Sequence, residues 1–295
     1  MTQAPPLLND GTRVRDGMPT LGPAATRLIE QLDQVFVGWA ADSGAAAMTL
    51  PPMQNVADLA TLDVYQNFPH LAMVAATLDT GHLPEAKPRQ IDPSSLQAAG
   101  IGLPSAVCYG FYLHLRGRTL PDRTVLTAMG TCFRNENHFD GLRRLRVFRL
   151  REVVALGQPD EIRQHLSRFT ALSFRFAEAA DLDVTHAAAS DPFFDQNSQQ
   201  AYWQQLNPIK HEFLFGDLAI ASVNEHRKFF GERCAISLES GGPVSTGCVG
   251  FGLERWVQAL MERYRGDWDA AYAAVEAGRV ATAESELQRQ ATKVG

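Results

Sequence analysis

The chain has 295 residues, of which 45% are hydrophobic and 20% charged, so it can bury a full core and we expect one large domain. Its net charge of -6 argues against a protein that grips a whole tRNA, because phosphate contacts normally require a basic surface. No run of about 18 uncharged apolar residues occurs, and the first residues lack a charged-then-apolar signal pattern, so we expect a cytoplasmic protein.

The N-terminal part of the chain predicts an arm followed by the domain. Residues 1–22 are rich in Pro, Gly, Asn and Asp, which is typical of a flexible arm, and residues 23–295 are expected to form the single domain. Residues 24–39 have the apolar spacing of one amphipathic helix. The four cysteines follow no regular framework, so we expect reduced thiols, some of which could bind metal.

Two strands joined by a polar loop are predicted between residues 131 and 152. Side chains alternate across a sheet, so each strand should present three residues to one common face. These are Cys132, Arg134 and Glu136 in the first strand, and Phe148, Leu150 and Glu152 in the second. Residues 137–141 (NHFDG) have the composition of a hairpin loop. Such a surface carries a cation, an acid and an aromatic ring, which can hold a phosphate, an adenine amino group and an adenine face.

The same hairpin contains a run of arginines that has a simpler interpretation. Arginine-rich runs are most often solvated faces or nucleic-acid patches. The run consists of Arg143, Arg144, Arg146, Arg149 and Arg151. Arginines occur at both odd and even positions of the strand, whose side chains point to opposite faces, so they cannot all point into one site. Arg134 is flanked by apolar or small residues and shares a face with Glu136, which favours a role in the site.

A late segment, residues 250–255 (GFGLER), predicts a second phosphate-binding element. Gly250 and Gly252 could simply be turn glycines. Arg255 stands at the start of an apolar helix, and a helix N-terminus with a guanidinium is a ready phosphate site. The residues that follow, 255–295, predict about one helical hairpin.

With these segments, the chain resembles the class II aminoacyl-tRNA synthetases. Residues 133–136 (FRNE) followed by 144–148 (RLRVF) are similar to their second motif, and GFGLER is similar to their third. Within the class, the chain resembles the catalytic core of the zinc-dependent seryl-tRNA synthetases of methanogens and, more closely, the short bacterial amino acid:carrier protein ligases. Further similar segments are 65–70 (YQNFPH), 106–109 (AVCY), 190–194 (SDPFF) and 222–226 (SVNEH).

The resemblance implies an α+β fold, with an antiparallel sheet of the class II type flanked by helices and without a tRNA-binding domain. It implies a ligase that activates a small amino acid, such as glycine or alanine, to aminoacyl-AMP. The aminoacyl group would pass to the phosphopantetheine thiol of an acyl or peptidyl carrier protein, without tRNA or membrane. The first class II motif is faint, around residues 49–52, so the homodimer is implied by resemblance alone. Two alternatives are a tRNA-charging enzyme that needs a partner, and a non-catalytic or regulatory paralogue.

The resemblance also implies roles in an ATP site. Arg134 would neutralise the α-phosphate and Arg255 would bind the γ-phosphate, so these two are the implied catalytic residues. Glu136 would accept the adenine amino group, and Phe148 would stack on the ring. The other implied ATP-binding residues are Arg144, Leu145, Ala219, Ile220, Ala221 and Ser222. Ala219 stands where conventional seryl enzymes have an acid that helps to hold Mg²⁺, so the Mg²⁺ bound with ATP needs another ligand, for which Glu239 is a candidate.

A zinc site is implied at Cys108, Glu152 and Cys248, with the substrate amino group in the open fourth position. Glu152 and Asn224 are the implied substrate-binding residues. From spacing alone, Cys132 is as good a ligand as Cys108, and Glu152 could instead pair with an arginine. The substrate pocket is expected to include Phe193, Phe194 and Trp203, and the histidines His186, His211 and His226 are expected to be structural. Carrier proteins are usually acidic, so some arginines of 143–151 are candidate docking residues.

Overall fold

The computed structural model describes residues 8–82, 91–189 and 209–294. The strands in these ranges are β1 Arg13–Arg15, β2 Met18–Thr20, β3 Ala46–Ala47, β4 Gln54–Asn55, β5 Met73–Leu78, β6 Leu96–Leu103, β7 Thr119–Leu120, β8 Arg123–Phe133, β9 Val147–Gly157, β10 Val184–Ala189, β11 Lys210–Phe215, β12 Leu218–Arg227, β13 Ser237–Leu238 and β14 Ser245–Gly252. The α-helices are α1 Pro23–Asp42, α2 Val56–Thr61, α3 Val64–Asn67, α4 Cys108–His114, α5 Pro159–Ala179, α6 Phe229–Arg233, α7 Leu253–Arg263 and α8 Trp268–Val294. Short 3-10 turns lie at Thr80–His82 and Pro93–Ser95.

A seven-stranded central sheet organises the molecule, in the order β10-β11-β12-β14-β9-β8-β3. Adjacent strands in this sheet pair antiparallel, except that β3 pairs parallel with β8 at one edge. The predicted α+β fold with an antiparallel sheet is therefore confirmed. The predicted hairpin is β8 and β9, with Cys132 opposite Phe148, but β8 ends at Phe133. Arg134 and Glu136, predicted in the first strand, lie instead in the connection 134–146, which is longer than the predicted loop 137–141. A three-stranded sheet, β4-β6-β5, lies apart from the central sheet.

Helices α1, α5, α7 and α8 form a layer that packs on one face of the central sheet. Its centre is aromatic, since Phe36 stacks on Phe251 with ring centroids 4.0 Å apart and on Trp256 in a tilted contact at 5.7 Å. Fully burying such a side chain contributes roughly 1.5–3 kcal/mol. Helices α4 and α6 belong to a second core on the opposite face, and this second face holds the pocket described below.

Helix α1 confirms the amphipathic helix predicted for residues 24–39. It buries Leu28, Leu32, Phe36 and Trp39, and residues three and four apart share one face of a helix. Pro23 at the first helical position suits the start, because the N–H it lacks would have no intrahelical partner.

Residues 8–22 form ordered structure where the composition predicts a flexible arm. β1 and β2 make a hairpin. Asp10 accepts a hydrogen bond from the first turn of α1 at 2.8 Å, and Thr12 accepts one at 2.9 Å from the residue before α1. Gly17 accepts a main-chain hydrogen bond from Arg146 at 2.8 Å. A polar composition does not predict these contacts, because they are made by helix-capping side chains and by main-chain groups.

None of the helices in the described ranges combines the length and the apolar content that a membrane-spanning segment needs.

Candidate active site

One pocket of about 430 Å³ opens on the face of the central sheet opposite α5. Phe148, Leu150 and Glu152 all line it, as strand alternation predicts. Phe148 and Glu152 mark its two ends on β9, roughly 13 Å apart at about 3.3 Å per residue. We call the end with Arg134 and Arg255 the cationic end, and the end with Glu152 and two cysteines the cysteine end.

Arg255, at the cationic end, lies in the first turn of α7 and is held by two main-chain carbonyls. Its Nε donates to the carbonyl of Arg143 at 2.9 Å, and a terminal nitrogen donates to the carbonyl of Ala219 at 3.0 Å. Burial and the nearby charge of Arg134 lower the pKa of Arg255 to about 10. Its hydrogen-bond acceptors among the described residues are these two neutral carbonyls, so a bound anion would stabilise this cation. Ala219 therefore contributes to the site through its backbone.

Arg134 follows β8 and lies against the ring predicted to stack on adenine. Its guanidinium carbon is 4.9 Å from the centroid of the Phe148 ring, and a terminal nitrogen is 3.5 Å from the carbonyl of Ser105. Its Nε is buried and has no hydrogen-bond partner among the described residues. A buried donor without a partner is costly, so an acceptor group bound here would be stabilised.

Glu136 lies in the β8–β9 loop and is paired with Arg144. The Arg144 guanidinium donates to one Glu136 oxygen at 2.7 Å, and the Glu136 side chain is only 12% exposed. The adjacent Leu145 is buried and lines the same pocket. Glu136 can therefore use its second oxygen as an acceptor inside the pocket.

The cysteine end contains a group that could hold a metal ion. Ligand atoms of Cys108, Glu152 and Cys248 lie within 4.8 Å of one another, and all three residues are buried. They come from the first residue of α4, from β9 and from β14. Two thiols and a carboxylate are ligands that zinc takes, and three protein ligands leave a fourth position open. Cys132 is fully buried opposite Phe148 and is not part of this group.

Hydrogen bonds and burial set the protonation of this group. Glu152 accepts the main-chain N–H of Cys108 at 2.7 Å, yet burial, with a further contribution from Cys248, raises its pKa to about 8. The pKa of the Cys108 thiol lies well above its usual range because it donates to Cys248, and burial adds to this. The same hydrogen bond holds the pKa of Cys248 well below its usual range. Glu152 accepts main-chain donors, so the alternative that it pairs with an arginine is not what the structure describes.

Residues of β12 support the cysteine end from the side. The Asn224 amide lies 3.5 Å from the Cys248 sulfur and 3.2 Å from the Ser222 hydroxyl. A His226 ring nitrogen lies 3.8 Å from the same sulfur, and its other nitrogen lies 3.3 Å from the Tyr112 hydroxyl. The sequence predicts a hydrogen-bonded structural histidine at His226 but not its closeness to Cys248. That closeness could have been inferred from the two-residue spacing of Asn224 and His226, which puts both on one face of the strand.

Contacts within the molecule occupy the arginines of the β8–β9 hairpin, and four of the five form ion pairs. Arg149 donates to Glu254 at 2.9 Å, and Arg151 makes two 2.7 Å hydrogen bonds to Asp33. Arg143 pairs with three acids, which are Asp217, Glu262 and Asp140. Arg144 pairs with Glu136, and the guanidinium of Arg146 lies over the Phe139 ring. The run is therefore not a simple solvated face. It also offers little unpaired charge for docking an acidic partner.

Two of the acids that pair with these arginines were not foreseen from the sequence. Glu254 is 2% exposed and ties the start of α7 to β9, which orients the neighbouring Arg255. Asp33 ties α1 to the same strand. The available signal was the position of Glu254 beside Arg255 in the first helical turn; Asp33 carries no local signal.

Gly250 and Gly252 lie within β14, so their interpretation as turn glycines is wrong. A Cβ atom on Gly250 would lie 3.7 Å from the Glu152 side chain and 3.8 Å from the Ser222 hydroxyl. The absent side chain therefore leaves open the pocket floor between these groups.

The pocket offers one further acid for a magnesium ion. Glu239 is exposed in the turn after β13 and does not line the pocket, so the structure does not support it as a ligand. Glu212 on β11 lines the pocket in register with Ser222 on β12, and Lys210 lies 3.1 Å from one of its oxygens. Phe193, Phe194 and Trp203, expected in the substrate pocket, lie outside the described residues.

Comparison with curated proteins gives relatives of two kinds. The chain is 30% identical over 248 residues to amino acid:acyl-carrier-protein ligase 1 of Bradyrhizobium diazoefficiens, across 78% of this chain and 74% of that protein. It is 29% identical to ligase 2 of the same organism, across 75% and 70%. It is 26% identical to the type-2 serine--tRNA ligase of Methanocaldococcus jannaschii, across 59% of this chain and 36% of that protein. No protein-family model matches the chain.

Solved structures show the same fold. The M. kandleri seryl-tRNA synthetase, solved in complex with A. aeolicus tRNASec, aligns with a TM-score of 0.72 at 18% identity, across 86% of this chain and 54% of that one. The prolyl-tRNA synthetase of Cryptosporidium parvum, solved with halofuginone and AMPPNP, aligns with a TM-score of 0.61 at 14% identity, across 85% and 49%. This chain therefore spans about half the length of these synthetases and has their class II catalytic-core fold.

Proposed function

The chain belongs to the amino acid:acyl-carrier-protein ligases, and from this we propose that it activates a small amino acid with ATP and transfers it to the phosphopantetheine thiol of a carrier protein. The observation that carries the proposal is that the cationic end and the cysteine end lie in the same pocket. Buried or half-buried arginines with unused hydrogen-bonding capacity lie at the cationic end, and a possible metal site lies at the cysteine end. An amino acid whose amino group binds at the cysteine end would point its carboxylate toward the cationic end, where the phosphates of ATP would lie.

The first step forms the aminoacyl-adenylate. A carboxylate oxygen of the amino acid attacks the α-phosphorus of ATP, the bond from that phosphorus to the bridging oxygen breaks, and pyrophosphate leaves with the electron pair. Arg134 stabilises the charge on the α-phosphate and Arg255 binds the γ-phosphate. Glu136 accepts the adenine amino group with its free oxygen, and the backbone of β12 near Ile220 and Ala221 borders the nucleotide.

Zinc is the metal we propose for Cys108, Glu152 and Cys248, because the donor set and its three-ligand arrangement fit that ion. When bound, it supplies a Lewis-acid position for the substrate amino group. Asn224 fixes the thiolate of Cys248 from the side. Thiolate ligands require reduced cysteines, which agrees with a cytoplasmic location.

Magnesium enters with ATP, and we propose Glu212 and the Ser222 hydroxyl as the protein groups nearest to it. A carboxylate and a hydroxyl are oxygen donors of the kind Mg²⁺ takes alongside substrate phosphates. Both line the pocket on neighbouring strands. This arrangement leaves Ala219 free to hold Arg255 through its carbonyl.

The second step transfers the aminoacyl group. The thiol sulfur attacks the acyl carbon and loses its proton to solvent, the bond from that carbon to the phosphate oxygen breaks, and AMP leaves. The product is an aminoacyl thioester. The enzyme provides no nucleophile of its own in this sequence of steps.

A small substrate side chain is proposed because aromatic rings crowd the cysteine end. Tyr109 and Phe230 line the pocket there, and Phe230 lies 4.9 Å from the His226 ring, measured between centroids. One added methylene changes binding by only about 1–3 kcal/mol in an apolar pocket. Glycine and alanine are therefore the substrates to compare first.

We further propose a homodimer. The three-stranded sheet exposes Val74 and Leu96, which are 59% and 46% accessible. Light scattering with size-exclusion chromatography tests this. A monomer at micromolar concentration would contradict it.

The acceptor decides between a carrier ligase and a tRNA-charging enzyme. Purified protein with ATP, glycine or alanine is offered a holo carrier protein, the same carrier without its phosphopantetheine, and total tRNA. Intact mass should show one added aminoacyl group on the holo carrier alone. Charging of tRNA instead would contradict the proposed acceptor, and charging of the carrier that lacks the arm would contradict the thioester.

A further inference from the structure

Arg227, at the end of β12, is the feature of the pocket that the two proposed steps leave without a role. It is exposed, and it lines the pocket together with its neighbour Phe229. Within residues 8–82, 91–189 and 209–294 no carboxylate lies within ion-pair distance of Arg227 or of the adjacent exposed Lys228. This contrasts with Arg149 and Arg151 of β9, which are paired internally.

The backbone places Arg227 at this rim at an energetic cost. A bulge interrupts the β12–β14 pairing between Glu225 and Arg227, and Arg227 has a φ of 53°, in the left-handed region. Bulges re-aim side chains next to active sites, and a non-glycine residue in the left-handed region is strained. His226, which lies within this bulge, has a ring nitrogen 3.8 Å from the Cys248 sulfur. Arg227 is therefore set at the rim by an irregularity next to the cysteine end.

The position of Arg227 is wrong for the ATP phosphates. On β12 the carbonyl of Ala219 marks the cationic end, and roughly 25 Å of strand separate it from Arg227 at about 3.3 Å per residue. An anion at Arg227 must therefore belong to a molecule that approaches from the cysteine end.

The second step needs such a molecule. AMP occupies the cationic end, so the acceptor thiol must reach the acyl carbon from the cysteine end. The phosphopantetheine arm that carries this thiol is joined to its carrier through a phosphodiester, which is an anion. Arginine binds phosphate oxygens with two parallel hydrogen bonds.

We propose that Arg227, assisted by Lys228, binds the phosphodiester of the phosphopantetheine arm and so guides the thiol into the cysteine end. This inference rests on the proposed function and deepens it, since it names the part of the acceptor that the enzyme recognises and the place where it does so.

Two small acceptors isolate the contribution of the phosphate. Phosphopantetheine and pantetheine carry the same thiol, and only the first has the phosphate. Wild-type enzyme should use phosphopantetheine about tenfold better or more in kcat/KM, as expected for a charge-assisted hydrogen bond. Arg227→Glu should bring that ratio close to one, and Arg227→Gln should reduce it partly. Lys228→Glu should lower it less than Arg227→Glu does.

Arg265 supplies a matched control, because it is exposed, has a φ of 53° and does not line the pocket. Arg265→Glu should keep the wild-type ratio. ATP–pyrophosphate exchange measures the first step without the second. Arg227→Glu should retain this exchange, and the retained exchange also shows that the variant is folded. An unchanged phosphate preference in Arg227→Glu would overturn the inference, and so would loss of exchange in that variant with Arg265→Glu intact. If wild-type enzyme exchanges pyrophosphate but acylates neither thiol, the proposed acceptor itself is contradicted.

Discussion

At the scale of single residues, the pocket combines groups that are costly to bury with few neutralising partners. Arg255 is a half-buried cation held by carbonyls, Arg134 has a buried Nε without a partner among the described residues, and Glu152 is a buried carboxyl. Each would be stabilised by a ligand of the opposite character, which in the proposed function is a phosphate for the arginines and a metal ion for the carboxyl and thiols. The residues thus indicate what the pocket binds.

Replacing Cys108 or Cys248 with serine should remove the metal. A serine hydroxyl is a much poorer ligand than a thiolate for zinc, so either variant should contain far less zinc per chain than the wild type by elemental analysis. Cys132→Ser is the matched control, because Cys132 is equally buried but outside the group. Loss of zinc from Cys132→Ser, with full zinc in Cys108→Ser, would reverse the assignment.

Arg255→Lys should weaken ATP binding although it keeps the charge. A lysine ammonium cannot hold the carbonyls of Arg143 and Ala219 and a phosphate in the same planar arrangement. We expect the KM for ATP in pyrophosphate exchange to rise roughly 10- to 100-fold, the value of a charged hydrogen bond. The KM for the amino acid should change little, and an equal rise in both would argue against a role at the triphosphate.

At the scale of elements, β9 connects the pocket to the helical layer. Phe148, Leu150 and Glu152 face the pocket, while Arg149 and Arg151 face the helices and bind Glu254 of α7 and Asp33 of α1. Alternation along one strand therefore builds the pocket wall and fixes the two helices behind it.

Asp33→Ala should destabilise the fold more than loss of a surface pair. The Arg151 side chain is 9% exposed and would be left buried without its carboxylate, so we expect a loss of about 2–4 kcal/mol in denaturant unfolding. Glu276→Ala breaks the exposed pair with Arg279 on α8 and should change stability little. Equal effects of the two substitutions would show that the α1–β9 pair contributes no more than a surface contact.

His165 on α5 makes stability depend on pH. Burial lowers the pKa of His165 from 6.5 to about 4, so the unfolded chain binds the proton more readily than the folded one. Its contribution is fully present above about pH 6.5 and is lost as the pH falls toward 4, about 3 kcal/mol in total. Between pH 7.5 and pH 5, His165→Leu should lose about 2 kcal/mol less stability than the wild type. His138→Gln, at an exposed histidine, should behave as wild type, and identical pH dependence in all three proteins would contradict this role.

At the scale of the whole molecule, distant parts of the chain meet around one sheet. The cysteine end takes its ligands from α4, β9 and β14, and Arg255 is held by carbonyls of the β8–β9 loop and of β12. Helices α1 and α8 are joined by a hydrogen bond from the Trp39 indole to the Thr282 hydroxyl at 3.1 Å. The site therefore depends on the complete fold, and no short segment contains it.

This dependence explains what the sequence could and could not predict. Local periodicity predicts the hairpin, the face shared by Phe148 and Glu152, and helix α1, because neighbours along the chain determine them. Spacing cannot choose Cys108 over Cys132, since the choice depends on where α4 packs against β9. The carbonyl partners of Arg255 and the bulge before Arg227 are equally invisible, because they arise from backbone contacts between strands and loops far apart in the chain.

ATP–pyrophosphate exchange with each of the twenty amino acids, run with and without a zinc chelator, tests the central claim most directly. The account predicts exchange with one or two small amino acids, which stops when zinc is removed and returns when it is restored, and which Arg134→Ala abolishes while the variant remains folded. Zinc-loaded, folded protein that exchanges with no amino acid would contradict it and would favour a non-catalytic member of the family.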